Sequence, residues 1–441
     1  MPLARRSIPL PYADGFAAVS AKLPGANLAW LGDLRARSAM RFVEAGLPTP
    51  RVERWKYTNL NGLAAARFSA VNGQQGAVSI SSLPPPLLAD SLRLVFVNGR
   101  LRRDLSNTNA LPAGIRLLGL AEALDKDPEL VRPYLAHSDG ADEALSLLNL
   151  AFMTDGVVLV VAPGTRLEVP IELSHVGLPD DRPVALHGRN LIKLEAGSQA
   201  TMVESFYGEA IYWTDQATRV DLAEGSQCRH YKAQADSTNA YHTASTTVRA
   251  AAASRYESFV LTTGAGLSRN EIKVSLDGEG ASCRLGGSYL MRGRQHVDNT
   301  TEIIHAKPRT TSEEVYKGVL DDRSRGVFQG RIVVQPDAQK SDGHQLNKTI
   351  LLSDRAEIDT KPELEIYADD VKCGHGATAG ELDDDALFYL RARGIDLATA
   401  RRMLVAAFIG EAIETISHEA VRVTFDRQVQ TWMAADGTHL S

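Results

Sequence analysis

Cysteine is scarce, with only Cys228, Cys283 and Cys373 in 441 residues. Three scattered thiols cannot form a disulfide framework in so long a chain, and their presence suits a reducing compartment. Long apolar runs are missing too. The nearest, VVLVVAP at 157–163, is strand-sized and ends at a proline, far short of the roughly 18 residues that a membrane helix takes. The first thirty residues carry Arg5 and Arg6 but no continuous apolar stretch of signal-peptide length, so a soluble, cytoplasmic protein is the expectation. Excess positive charge is absent: the net charge of -6 gives no footprint for nucleic acid. The familiar catalytic signatures are absent as well. There is no G-x-x-x-x-G-K-[ST] phosphate loop, no H-E-x-x-H, no C-x-x-C pair and no G-x-S-x-G elbow.

Periodicity is what the sequence does have. From Phe152 the texture turns to short β-branched runs punctuated by Gly, Ser, Asp and Pro. Within it GSQATMVES, GSQCRHYKA, ASRYESFVL and ASCRLGGSY place Ser198, Ser226, Ser254 and Ser282 each 28 residues after the last. A fixed period of this size marks stacked units that bury their apolar faces only against one another. Each unit joins a small-residue turn to an alternating strand, so the units are β. Two readings stand at this point, a parallel β-helix with rungs about 4.8 Å apart and an antiparallel sandwich with even turn spacing. The repeat fades after Thr310.

Helical patterns bracket this region. Leu28, Leu31, Leu34 and Phe42 follow a helical stripe that Gly46 and Pro48 stop, and Val95, Val97 and Asn98-Gly99 read as a strand entering a turn. A second helical stretch spans 121–150. At the other end Asp383 to Asp385 start a helix that Gly394 ends, Asp396 caps a second with Leu397, Ala400, Leu404, Ala407 and Phe408 on its stripe, and Val421, Phe425, Val429 and Trp432 mark a third. The expected architecture is therefore mainly β, a right-handed parallel β-helix over 156–380, between an N-terminal helical region with a short strand entry, 1–155, and a C-terminal helical bundle, 381–441.

Chemistry-bearing residues concentrate in ADDVKCGHGATAGELDDD, where Cys373 and His375 stand two apart beside Gly374 and Gly376. On a strand such a pair shares one face, presenting a thiolate and an imidazole suited to iron, zinc or incoming sulfur. Read alone, the pair is more readily a buried thiol and a hydrogen-bonded histidine at the end of the β region, because structural Cys and His outnumber ligands. His344 reads as a solvated or capping residue. Cys228 has Arg229 and His230 beside it, but strand neighbours face opposite sides. ERWKYTNL at 53–60 is either a docking surface or the place where Trp55 and Tyr57 anchor the helical end to the β region.

These segments resemble the SufB/SufD family of iron–sulfur cluster assembly proteins, with the SufD pattern the nearer. ERWKYTNL, VFVNGRLRRDLS and LNLAFMTDGVVLVVAPGTRLEVPIEL match its early segments, and the run from Gly326 to Ile395 is the most specific. Gly374 stands where the family often has serine. The resemblance implies a non-catalytic scaffold subunit that pairs with SufB along the β-helix and docks SufC, an ABC-type ATPase, on its C-terminal helical bundle, 381–441, around Phe388, Tyr389, Leu390, Arg393, Gly394 and Phe408. It also implies a nascent Fe–S cluster at the SufB–SufD interface, with His375 and Cys373 as metal ligands shared with SufB and nothing held tightly by the single chain. That agrees with the cysteine count, since an all-thiolate cluster takes four. A homodimer of the isolated chain is a further expectation, because open strand edges favour pairing. Two other readings are a polysaccharide-binding or lyase-type β-helix, which calls for clustered carboxylates and in most cases an export signal, and a self-contained metal enzyme built on Cys373 and His375.

Overall fold

A computed structural model describes residues 7–70, 78, 83–108, 111–136 and 143–434. From Ile171 onward the chain alternates between two sheets. Ile171–Gly177, Gln199–Gly208, Gln227–Ala235 and every second strand to Lys372–Gly380 form one, and Val184–Leu194, Tyr212–Leu222 and their successors to Glu357–Ile366 form the other. Within each sheet these strands pair in parallel, so every turn of the chain lays two strands onto the preceding rung. The architecture is a parallel β-solenoid, and the sandwich reading is set aside.

The serine repeat is a turn device. Ser198, Ser226 and Ser254 each sit fully buried one residue before a strand, and each hydroxyl donates to the carbonyl oxygen three residues back, that of Glu195, Ala223 and Ala251, at 2.6, 2.7 and 2.6 Å. A buried hydroxyl bonded in this way costs no desolvation and holds the corner. Ser282 is not the fourth member. It pairs with Arg255, whereas Arg255 pairs with Gln227, so the rung is one residue short and Ala281 takes the corner. Thr310, bonded to Lys307 at 3.0 Å, and Ser341 bring the hydroxyl back further along.

The N-terminal stretch contributes the opening strands of both sheets. Leu92–Val97 lies parallel to Ile171–Gly177, and an Asn98-Gly99 turn with both φ angles positive (44° and 72°) folds Arg100–Asn107 antiparallel along its far side. Those two conformations are what a two-residue hairpin turn requires. In the second sheet Ile115–Gly119 closes antiparallel on Val157–Val161. The stretch 121–150 contains parts of three helices, Leu120–Lys126, Pro128–Ala136 and Ala144–Phe152, while 137–142 lies outside the described residues. The helix at Ala29–Ala45 forms as the stripe predicts and ends at Gly46, φ 65°.

At the other end Asp383 and Asp396 accept backbone N–H bonds at 2.9 Å from Asp385 and Thr399, capping Asp384–Ala392 and Leu397–Ile413. The second of these helices is turned from the expected stripe. Ala400, Val405, Ile409, Ala412 and Ile413 are its buried residues, and Ala407 is exposed. This helix is apolar on nearly every side, so its own periodicity leaves the buried face undetermined, and packing selects it. Together with Glu419–Ala434 it lies against the outer face of the first sheet, burying Val203, Tyr231, Phe259, Leu290 and Val319. The two helices thus share the solenoid's surface instead of closing a separate bundle core. Among the described residues no helix is long and apolar enough to cross a membrane.

The lumen is apolar at one side, with Leu159, Ile192, Val220, Val248 and Val274 in its core, and polar at the other. There His175 is stacked between Phe96 and Phe206, ring centroids 4.8 and 4.4 Å away, because the three residues are partners in successive strands. Buried Lys232 donates to Asn270 and sits 2.7 Å from His242, while His230 lies 2.5 Å from Glu204. Lys232 and Glu204 thus each have a partner, which is the condition on which ions persist in an interior.

Candidate site at the open end of the solenoid

Lys372–Gly380 and Glu357–Ile366 are the last strands of the two sheets. Each pairs on one side only, with Asp342–Leu351 and Arg325–Val334 respectively. The residues of these two strands are half-buried or exposed, whereas alternate residues of Asp342–Leu351 and most of Arg325–Val334 are buried. The opposite end is stoppered by the antiparallel Arg100–Asn107 strand, which presents Arg100, Arg102, Arg103 and Asp104. Charged side chains on an outer strand discourage further pairing.

Cys373 and His375 both belong to the final strand, two apart as the alternation requires, and they differ in exposure. Cys373 is half-buried against the end of the lumen core. Burial pushes its thiol above the usual cysteine range and the Asp342 carboxylate adds to this, while the Gly343 backbone N–H works against both. His375 is exposed. Cys373 also continues a column that Ala200, Cys228, Tyr256, Cys283, Ser312 and Gly343 form rung by rung, so all three cysteines occupy one inward-facing register. The inner two are sealed. Desolvation raises the Cys228 thiol to about 12 despite Arg229 next to it, and raises Cys283 further, so neither supplies a thiolate at neutral pH. Among the described residues no group of three or more His, Cys, Asp or Glu side chains converges in a way that could hold a metal ion.

His344 is exposed and pairs with Asp342 at 2.9 Å. Its ring is also the nearest group to Gly374, where an added Cβ would meet only His344 Nδ1 and Cε1, at 3.6 and 4.0 Å. Gly374→Ser is therefore expected to change stability by no more than about 0.5 kcal/mol, as is usual for unconstrained surface positions. A denaturant midpoint displaced well beyond that would show that the glycine backbone is needed.

The residues around Phe388 divide into two sets. Asp384–Ala392 has no buried residue, and its Phe388 and Tyr389 are 74% and 56% exposed. Arg393 stacks over Tyr389 at 3.5 Å, Leu390 is half-buried, and Gly394, φ 84°, ends the helix. Phe408 lies on the next helix, half-buried against the sheet, with Lys317 over its ring at 4.5 Å. In the N-terminal ERWKYTNL segment Trp55 is buried beneath the Arg269 guanidinium, 4.1 Å from its ring. Arg54 reaches Glu143, Glu271 and Glu302 at 3.3, 2.5 and 3.4 Å, and Tyr57 carries Lys56 at 5.3 Å. Trp55 and Arg54 therefore anchor the N-terminal region to the solenoid.

Sequence reasoning missed Glu314 and Gln345, which precede His375 in its own inward-facing column. Their only signal is a spacing of one rung each, in the part of the chain where rungs have lengthened and the repeat is no longer visible.

Comparison with known proteins supplies the context for this end. Residues 7–173 match the SufBD protein N-terminal region, and residues 178–408 match the SufBD core domain of the SUF iron–sulfur cluster assembly system. An iron–sulfur cluster assembly SufBD family protein of Synechocystis is 34% identical over 84% of either chain. The iron–sulfur cluster assembly protein SufD of Escherichia coli is 31% identical over 87% of this chain and 88% of its own. The chloroplastic protein ABCI7 of Arabidopsis thaliana is 29% identical over 88% and 83%. With both family regions matched in order along one continuous solenoid, the chain belongs to the SufBD family of iron–sulfur cluster assembly proteins.

Proposed function

We propose that this chain is a SufD-type scaffold subunit without ATPase chemistry of its own. It pairs with a SufB-type subunit at the open end of its solenoid and docks a SufC-type ATPase on the Asp384–Ala392 helix. A nascent cluster, the cargo of the assembly, then forms at the interface with His375 and, through a smaller contribution, Cys373 as ligands from this side. The observation that carries the reading is the placement of His375, an exposed imidazole on the last, singly paired strand. A partner that adds a strand there also brings its own ligands to the same spot. Phe388 and Tyr389 support the second contact, since two adjacent aromatics this exposed resemble the anchors that dominate interfaces.

The test is co-expression with SufB-type and SufC-type subunits, followed by anaerobic iron and sulfide loading and an absorbance spectrum. A three-protein assembly should be recovered, and His375→Ala should retain the assembly and lose most of the cluster absorbance. An unchanged cluster yield removes His375 from the site. Replacing Phe388 and Tyr389 by Asp should weaken ATPase retention roughly thirty-fold or more, since one interface anchor is worth about 2 kcal/mol. Full retention would place the ATPase contact elsewhere.

A further inference from the structure

Glu314, Gln345 and His375 are register partners in three consecutive strands, Glu314 facing Gln345 and Gln345 facing His375. They form one inward-facing column whose outermost residue reaches the open end. Glu314 and Gln345 are 1% and 3% exposed. Gln345 Nε2 donates to Glu314 Oε2 at 2.6 Å, and with Glu314 ionised, as it is at alkaline pH, that bond decides how the amide is turned, because the opposite orientation would set oxygen against oxygen. The amide is also hemmed in from the facing sheet: a Cβ on Gly330 would lie 1.9 Å from Gln345 Nε2, so only glycine leaves room for it. With its nitrogen committed to Glu314, Gln345 Oε1 is buried without a partner. An orphaned buried acceptor costs about 1–3 kcal/mol, so a donor within reach has a reason to turn toward it. One rung further, about 4.8 Å along the column, stands His375.

We propose that Gln345, held in orientation by Glu314, receives the ring N–H of His375 and thereby fixes which imidazole nitrogen is left as the lone-pair donor for metal or sulfur. The ring has two inequivalent nitrogens, and the hydrogen bond made by one sets the role of the other. Gln345 and Glu314 are thus positioning residues. Neither has to touch the cluster. The benefit to assembly rests on the proposed role of His375, whereas the tautomer is a property of the free chain and is read there.

The experiment uses the full chain carrying ring-15N histidine, with one- and two-bond ring 15N–1H spectra recorded at alkaline pH and the His375 signals identified by their loss in His375→Gln. The expected result is one dominant tautomer, with the two ring nitrogens well separated in shift. Gln345→Leu should bring the two resonances together toward the averaged values of a free imidazole. Exchanging the pair, Glu314→Gln with Gln345→Glu, keeps a donor facing an acceptor at every step and should restore the separation. A purely structural role would give the same His375 spectrum in all three chains. Averaged shifts in the wild type, an unchanged spectrum in Gln345→Leu, or averaging in the exchanged pair would each overturn the proposal. If Gln345→Leu fails to melt cooperatively, the exchanged pair decides alone. A cluster yield insensitive to His375→Ala, with the tautomer still fixed by Gln345, would instead remove the proposed function and leave this arrangement standing.

Discussion

Lowering the pH from 7.5 to 4.5 is expected to cost this fold on the order of 4 kcal/mol, read as a fall in the urea unfolding midpoint. Three histidines carry the effect. Burial lowers His175, His296 and His305 from 6.5 to about 4, against the nearby carboxylates Glu204, Asp298 and Asp342, which favour the charged rings. Each therefore stays neutral in the folded chain over a range in which the unfolded chain already takes up a proton. Their contribution is fully present above about pH 6.5 and is lost as the pH falls toward 4. At 1.36 kcal/mol per pH unit, each is worth up to about 3 kcal/mol before any relaxation of the interior. His242, lowered mainly by burial and then by Lys232, acts in the same direction.

Glu314 opposes them. Burial raises its carboxyl to about 7 although Thr301 and Gln345 pull it down, so the folded chain holds that proton where the unfolded chain has released it. Its contribution is present below the ordinary carboxylate range and lost as the pH rises through about 7, which offsets roughly one histidine. Glu314→Gln removes the offset. The variant should be more stable than the parent at pH 7.5 and should lose more on acidification. Glu204 enters only below this window, because burial, which would raise it, is outweighed by His230, His175 and Lys232, and they hold it at about 2. A midpoint that is level or rises between pH 7.5 and 4.5 would mean that these rings are not kept neutral in the folded chain.

Gly318→Val is expected to destabilise the chain by about 3 kcal/mol or more, at the upper end of overpacked cores. A Cβ at position 318 would stand 1.9 Å from Cε2 and 2.1 Å from Cζ of Tyr289, the residue facing it on the previous rung. Tyr289 cannot yield. It is completely buried, and its hydroxyl is fixed by Thr349 at 2.8 Å and Asn347 at 3.2 Å two rungs further on. The same device recurs two residues away across the same two strands with the roles exchanged, where a Cβ on Gly287 would lie 2.3 Å from the Tyr316 ring that faces it. Each tyrosine thus fills the volume that the glycine opposite it leaves open. Thermal unfolding of Gly318→Val beside Gly374→Ser measures the contrast. Equal melting temperatures would show that the Tyr289 ring can move aside.

The strands were legible wherever one rung matches the next. Ser198, Ser226 and Ser254 announced the period because a corner that needs a small buried hydroxyl admits few residues. The same rule misled at Ser282, where a rung shorter by one residue puts a serine on the strand and an alanine in the corner. A one-residue slip reverses every side chain that follows, so the columns could not be projected across it from spacing alone. That is why Cys228, Cys283 and Cys373 read as scattered although they share one register, and why Glu314 and Gln345 passed unnoticed below His375. The Cys373 and His375 pair was legible because its neighbours are adjacent in the chain, which no slip can alter. Helix ends were equally local, with Asp383 and Asp396 capping as their side chains dictate. The inward face of Leu397–Ile413 was not, since that choice belongs to the sheet on which the helix lies.

A rod sealed at its first rung and bare at its last has a polarity that limits what it can build. Head-to-tail stacking, the route by which repetitive β structures grow into fibres, needs two receptive faces, and the charged hairpin of Arg100–Asn107 withholds one of them. Were two such rods to meet bare end to bare end, each would cover the other's last strands, and growth along the first sheet would terminate at a pair.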